Sequence, residues 1–438
     1  MNKRLRTKRR IEKDKAARAL KRSLKQEKYG NYDNIVTNQH YTDVYPKSLR
    51  NVGWKRSVHN YEFNVIDTMQ GDIKLLKNEK LPKPRGSDII TIRERGKERT
   101  ITPIHIADRV MQKIFCDHCL TPLIKDKLIY DNGASLDGKG VQFTRNRMNE
   151  MLVYMTRKYK DDFYALKFDF KSYFDSIPHS TCREVLSNLI DDERTVEILM
   201  DIIKSPFAVQ IKKKYKEPLK SVLLNRLEND MMKGICLGSQ VSQSMALLIP
   251  NEMDHYIKDI AQFKCYIRYM DDGIVLAKTR EELVELLGNI EWFAMAVGLK
   301  FNKKKTKIVK ASHGFTFLKT RYHITKTGKI VRRLSRDGIT RNRRKLIKLK
   351  AKIDNGERSI DDAYNVMQSW LAHSAHANCY TTRQSMLKLY DELYGGYKIT
   401  KNWKKKNGGK FNVLKTDKWA KYHWDSDIGQ SDEVSASA

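Results

Sequence analysis

No apolar run of transmembrane length occurs in the 438-residue sequence, and the N-terminus has no hydrophobic signal core. The chain is therefore expected to be soluble, with no membrane partner and no visible export signal. Its six cysteines, at 116, 119, 182, 236, 265 and 379, lack the spacing of a disulfide framework. A stapled secreted scaffold is excluded, and a reducing cytoplasm fits. Cys116-x-x-Cys119 has no second pair and no His-x-x-x-His partner, so ordinary helix positions are expected there rather than a zinc site. No internal repeat is visible. Acidic residues are scarce: 52 Asp and Glu stand against 85 Lys and Arg, a formal net charge of +33. Solubility needs far less. The excess points to a polyanionic partner, most simply nucleic acid, held by phosphate neutralisation and counterion release. A merely basic surface protein is the bland alternative.

Residues 1–28 carry thirteen Lys and Arg and few bulky apolar side chains, so they read as a basic helix or arm that cannot build a core alone. "DIITIRERGKERTITPIH" has the pattern of a hairpin, with Ile90 and Ile92 alternating with polar neighbours, Gly96 turning and residues 99–104 returning. A helix is expected over 107–120, a glycine-rich loop at 130–140, another helix over 143–158, and a strand at 163–170 with Tyr164, Leu166 and Phe168 on one face. "TREELVELLGNIEWFAMAVG" is the clearest helix: Thr279 and Glu282 form a capping box, and Gly298 supplies the stop. Beyond about residue 338 the composition turns to helices rich in basic residues.

"IRYMDDGIVLA" (267–277) sets Asp271 and Asp272 between two short apolar runs. Strand, two-residue turn, strand is the natural reading, with the acids at the tip. Carboxylates that close repel unless a cation lies between them and a partner. A divalent ion with a taste for hard oxygen, Mg²⁺, resolves the repulsion; an exposed Asp-Asp turn is the structural alternative. A third acid, Asp169, ends the strand in "LKFDFKSYFDSIPH". An acid at one strand end beside a hairpin bearing two more can hold two metals about 3.5–4 Å apart for in-line phosphoryl transfer. Asp175 lies past the strand, which favours Asp169. The arrangement requires residue 169 within roughly 10 Å of the tip at 271.

"FDFKSYFDSIPH", "YMDD" (269–272) and "GLKFNKKKTKI" (298–308) resemble the reverse transcriptases, in that order, over roughly residues 50–395. The resemblance implies an α+β right-hand polymerase fold: fingers at 50–160, a palm of antiparallel sheet plus helices at 161–335, and a helical thumb at 336–396. A basic extension (1–49) and a basic, aromatic tail (397–438) flank these. It assigns Asp169, Asp271, Asp272 and the Phe170 carbonyl to two Mg²⁺ ions. Phe174 matches the aromatic that leaves no room for a ribose 2′-hydroxyl, while Tyr173 reads as core. Lys97 and Arg99 match the clamp on the incoming triphosphate, for which a point charge and a bidentate fork are suited. Lys305 matches the lysine that protonates pyrophosphate, with Lys303 and Lys304 as competing registers. "FTFLK" (315–319) resembles the primer grip.

"LGSQVSQ" (237–243) departs from the Gln-Gly-x-x-x-Ser-Pro of many intron and retron enzymes. It is similar to the Leu/Ile-Gly-x-x-x-Ser-Gln form of diversity-generating retroelement enzymes, a signature compatible with related antiphage defence and prophage-encoded enzymes, and the resemblance places Gln243 near template and incoming base. The resemblance thus implies a bacterial RNA-directed DNA polymerase that copies RNA, specifically a dedicated noncoding RNA, into DNA from deoxynucleotides. Antiphage defence is preferred as its role and diversification is the alternative; a maturase-like RNA-binding protein and protein-primed synthesis are further readings. Whether an accessory protein or a second copy assists is left open. No RNase H, integrase or His-Asn-His endonuclease pattern follows. Trp403, Trp419 and Trp424 lie among lysines, suited to base stacking or to packing on the thumb, and the polar end reads as disordered.

Overall fold

A computed structural model describes residues 3–85, 90–94 and 96–399. The tail tryptophans Trp403, Trp419 and Trp424 and the polar chain end lie outside the described residues.

In chain order the principal elements begin with α1 (Lys3–Lys25) and α2 (Asn38–Ser48). The hairpin β1 (Ile90–Glu94) and β2 (Lys97–Ile101) precedes α3 (Ile106–Phe115), α4 (Val141–Tyr159) and β3 (Tyr164–Asp169). Then come α5 (His179–Leu189), α6 (Glu193–Lys214), α7 (Gln240–Leu248), β4 (Tyr266–Tyr269), β5 (Asp272–Ala277) and α8 (Arg280–Ala296). Strands β6 (Lys307–Lys310), β7 (Phe315–Phe317), β8 (Thr320–Ile324) and β9 (Ile330–Leu334) lead into α9 (Arg336–Asp354), α10 (Ile360–Ser374) and α11 (Tyr380–Tyr394). The sheets are β1-β2, β4-β5-β3-β6 and β7-β8-β9.

The chain divides into two compact units. The first runs to Thr144 and adds Phe168–Gly273 and Val284–Thr306; the second comprises Arg145–Lys167, Ile274–Leu283 and the chain from Lys307. In the first, α1 is solvated over residues 12–24, as its charge requires, and its C-terminal end is tied down: Arg22 pairs with Asp191 at 2.9 Å. The β1–β2 hairpin closes on the pair Glu94↔Lys97, with Gly96 at φ +78. Cys116 and Cys119 are buried free thiols in a π-helical turn continuing α3, ordinary core positions as expected.

In the second unit, β3 pairs antiparallel with β6, Tyr164↔Lys310 through Lys167↔Lys307. Strand β3 departs from one-sided burial: Ala165 is as buried as Leu166 and Phe168, so both of its faces are covered rather than one being solvated. The cap read at the start of α8 is present, with Thr279 Oγ1 accepting from Glu282 N and Glu282 Oε2 accepting from Thr279 N, both 3.3 Å. Helices α9, α10 and α11 share an apolar core around Leu346, Met367, Trp370, Leu371, Met386 and Tyr390.

Candidate active site

Asp169 closes β3 and is 4% exposed, a burial that a carboxylate tolerates only with partners. The chain beyond it lies antiparallel to residues 300–302. Asn302 N donates to Asp169 O at 2.7 Å, Lys171 N donates to Lys300 O at 2.8 Å, and the Phe170 and Phe301 rings stack at 5.0 Å. Asn302 then organises a turn. Its carbonyl accepts from Lys305 N at 2.9 Å and Thr306 N at 2.8 Å, and its Oδ1 accepts from Lys304 N at 3.1 Å. The turn delivers Lys305 Nζ to both Asp169 oxygens, each at 2.7 Å. Of the three consecutive lysines, it is Lys305 whose ammonium bonds this acid.

The hairpin tip lies one residue earlier than the sequence suggests. Met270 and Asp271 make the turn, with Met270 at φ +53, and Asp272 is already the first residue of β5. Exposed acids suit a tip better than a methionine, so composition alone misplaces it; in the structure Met270 takes the place, its carbonyl accepting from Arg268 as described below. Phe170 N donates to Asp271 O at 3.2 Å, so the two acid-bearing segments are hydrogen-bonded neighbours, well inside the required separation. Gly273 permits this approach: a Cβ there would lie 2.1 Å from the Phe168 ring.

The electrostatics record the convergence. Burial first, and then the neighbouring Asp169, push the Asp271 carboxyl above its ordinary range, against the pull of Lys305 and Arg99. Burial opposes the Lys305 charge, but its bonds to Asp169 and the fields of Asp169, Asp272 and Asp271 outweigh it, and the ammonium holds its proton above the usual lysine range. Among the described residues no three His, Cys, Asp or Glu side chains form a closed metal cage; the Asp169 charge is met by Lys305. The donor types suit Mg²⁺, since the carboxylates of Asp169, Asp271 and Asp272 and the main-chain carbonyl of Phe170 are hard oxygen ligands.

Beneath the turn lies a pair that sequence reasoning missed. Arg268 and Asp254 are both fully buried and bonded, Nη2 to Oδ2 at 2.6 Å and Nε to Oδ1 at 2.8 Å. Arg268 also donates through Nη1 to Met270 O at 3.1 Å and through Nη2 to Leu247 O at 2.8 Å, and Tyr266 Oη donates to Asp254 Oδ1 at 2.6 Å. One guanidinium thus ties the left-handed residue of the turn to α7.

The remaining candidates stand around this centre. Phe174 is half-buried; its carbonyl accepts from Ile235 N at 2.8 Å, and its ring meets that of Tyr173 edge-on. Tyr173 is buried and donates to Ala246 O at 2.6 Å, a core role as expected. Gln243 is exposed on the first turn of α7, which Ser239 caps. Its side chain makes no hydrogen bond to Asp169, Asp271 or Asp272 among the described residues. Arg99 on β2 is near enough to act on Asp271, while the Lys97 side chain lies outside what is described.

The family of reverse transcriptases (RNA-dependent DNA polymerases) matches residues 81–321, more than half of the chain. The chain belongs to the reverse transcriptase family. Its right-hand fold is α+β, and the antiparallel sheets and helices described above fit it. The chain is also similar to an uncharacterized 91 kDa protein in the cob intron of Schizosaccharomyces pombe, 23% identical over 339 residues, covering 64% of this chain and 40% of that protein. It therefore spans about two-fifths of that relative's length. Among solved structures it is similar to apo telomerase from Candida tropicalis (13% identity, 74% of this chain and 59% of that one, TM-score 0.40). A second is telomerase from Candida albicans with a fragment of telomeric RNA (12%, 78% and 63%, 0.38). No described helix of this reverse transcriptase family member is long and apolar enough to cross a membrane.

Proposed function

We propose that the chain is an RNA-directed DNA polymerase that extends a primer with deoxynucleotides along an RNA template. The observation that supports this most is the meeting of two acid-bearing segments at one lysine, with Phe170 N on Asp271 O and Lys305 Nζ on Asp169. A protein that only bound RNA would gain nothing by gathering acids where phosphates must lie.

In this reading Asp169, Asp271, Asp272 and the Phe170 carbonyl hold two Mg²⁺ ions. When bound, they supply activation of the primer 3′-hydroxyl and charge for the leaving pyrophosphate. Lys305 holds Asp169 in place before the ions arrive, and its ammonium is a proton source for the pyrophosphate. Phe174 lies against the sugar and rejects a 2′-hydroxyl by lack of space. Arg99 and Lys97 grip the triphosphate, and Gln243 contacts template or incoming base. Residues 50–160 serve as fingers, 161–335 as palm and 336–396 as thumb, with the basic arm at 1–49 and the tail at 397–438 flanking them.

The template is a dedicated noncoding RNA, and the setting is the bacterial cytoplasm. The basic arm and the lysine- and tryptophan-bearing tail support antiphage defence, while the "LGSQVSQ" loop supports the alternative, sequence diversification. A second reading, an intron-associated RNA-binding protein with secondary catalysis, is favoured by the intron location of the S. pombe relative. The test is sequencing of the RNA and DNA that copurify with the active protein. A single abundant cDNA of one noncoding RNA is expected; adenine-specific changes against a near-repeat would mean diversification. Intron RNA without cDNA would overturn the polymerase reading.

A further inference from the structure

Two half-buried arginines in the second unit have no acidic partner among the described residues. Arg145 is in the first turns of α4, Arg332 is in the middle of β9, and both Nε atoms are buried without an acceptor among the described residues. Their setting is built, not frayed. Arg332 is clasped by Asn378, whose Oδ1 accepts from Arg332 N at 2.9 Å and whose N donates to Arg332 O at 2.7 Å. Arg332 Nη1 also reaches Asn149 Oδ1 at 3.4 Å. Between α10 and α11, His376 Nε2 is 3.0 Å from Thr320 Oγ1, and its ring meets that of His373 at 5.1 Å.

These groups share one neighbourhood. Burial weakens the hold of both guanidiniums on their protons, and the buried Tyr322 is the group that acts against this in each case. His376 is pulled down to about 4 by burial and then by Arg145, His373 and Arg332. No Asp or Glu figures in any of these fields among the described residues. Two clustered guanidiniums partly out of water are expensive unless an anion completes them. The planar forks suit one anion best, a phosphate taken bidentately.

We propose that Arg145, Arg332 and His376 form a phosphate pocket, separate from the carboxylate site, that seats a phosphodiester of a bound nucleic-acid strand. This rests on the polymerase reading. A strand is favoured over a free phosphate because His373 also lines a groove of about 1040 Å³ along α9 and α10, with Arg341, Arg344, Lys345, Lys348 and Lys352. Cations thus continue from the pocket along a surface suited to a polyanion. His376 stays neutral at pH 7, keeping the repulsion within the empty pocket down.

The test is equilibrium binding of a labelled RNA–DNA primer-template hybrid by the full chain, between about 50 and 200 mM salt. For Arg145→Gln with Arg332→Gln, the log–log salt slope is expected to fall in magnitude by about 1, the loss of one phosphate contact, whatever the hybrid sequence. Arg332→Lys, which keeps the charge, retains the slope. Equal slopes in wild type and the double variant, with only a lower Tm, would mean that the arginines merely pack, and the pocket is refuted. An unchanged slope together with a phosphate-dependent rise in Tm that the double variant loses would assign the pocket to free phosphate, which also refutes the strand. A wild-type chain that does not bind the hybrid overturns the polymerase reading itself; binding with a slope the variants leave untouched overturns the pocket alone.

Discussion

Arg268 carries more of the site than any acid in it. Its guanidinium neutralises Asp254 and holds the carbonyl of Met270, the residue forced to φ +53 in the turn. Replacing it by Ala strands a buried carboxylate, and a loss of about 3–5 kcal/mol is expected in urea unfolding. Asp271 acts in the opposite sense. Its folded pKa is raised, so it favours the native state below the unfolded pKa, and that contribution is lost as pH rises through the folded value. Near neutrality its charge opposes folding. Asp271→Asn is therefore expected to raise Tm at pH 7, with the gain shrinking as pH falls below about 4. An equal gain at both pH values would contradict the stated environment. The acids were legible in the sequence because two adjacent carboxylates in an apolar run are conspicuous. Arg268 stands in the same run, three residues before Asp271, but its partner Asp254 is fourteen positions away on another element, and no local pattern announces it.

At the scale of elements, close approach of strands sets the geometry. Gly273 lets β5 lie against Phe168, and Gly273→Ala drives a Cβ into a fully buried ring. Overpacking of about 1–3 kcal/mol is expected, seen as a lower urea midpoint. Thr279→Ala removes one bond of the α8 cap and is expected to cost about 1 kcal/mol by the same measurement. Helix α8 and its cap were readable because capping boxes and 3.6-residue spacing are local. The sheet order and the one-residue displacement of the β4–β5 turn were not, since strand partners and the Asp254 that anchors Arg268 come from other parts of the chain. The lysine register was likewise hidden: three adjacent lysines are chemically alike, and only the Asn302 turn selects Lys305.

For the whole molecule, a net charge of +33 and a small cluster of acids are complementary. In the proposed function the basic surface holds a polyanion, and the acids mark the point at which its own field is reversed by metal. Binding should therefore depend steeply on salt and hardly at all on the acids, while synthesis should depend on the acids completely. The decisive measurement is primer extension on an RNA template with Mg²⁺ and deoxynucleotides, run beside hybrid binding, for wild type and for Asp271→Asn with Asp272→Asn. DNA synthesis is expected to vanish in the double variant while affinity for the hybrid holds or rises. A double variant that extends the primer at the wild-type rate would contradict the assignment of these aspartates, and a wild type that extends no primer would contradict the polymerase reading.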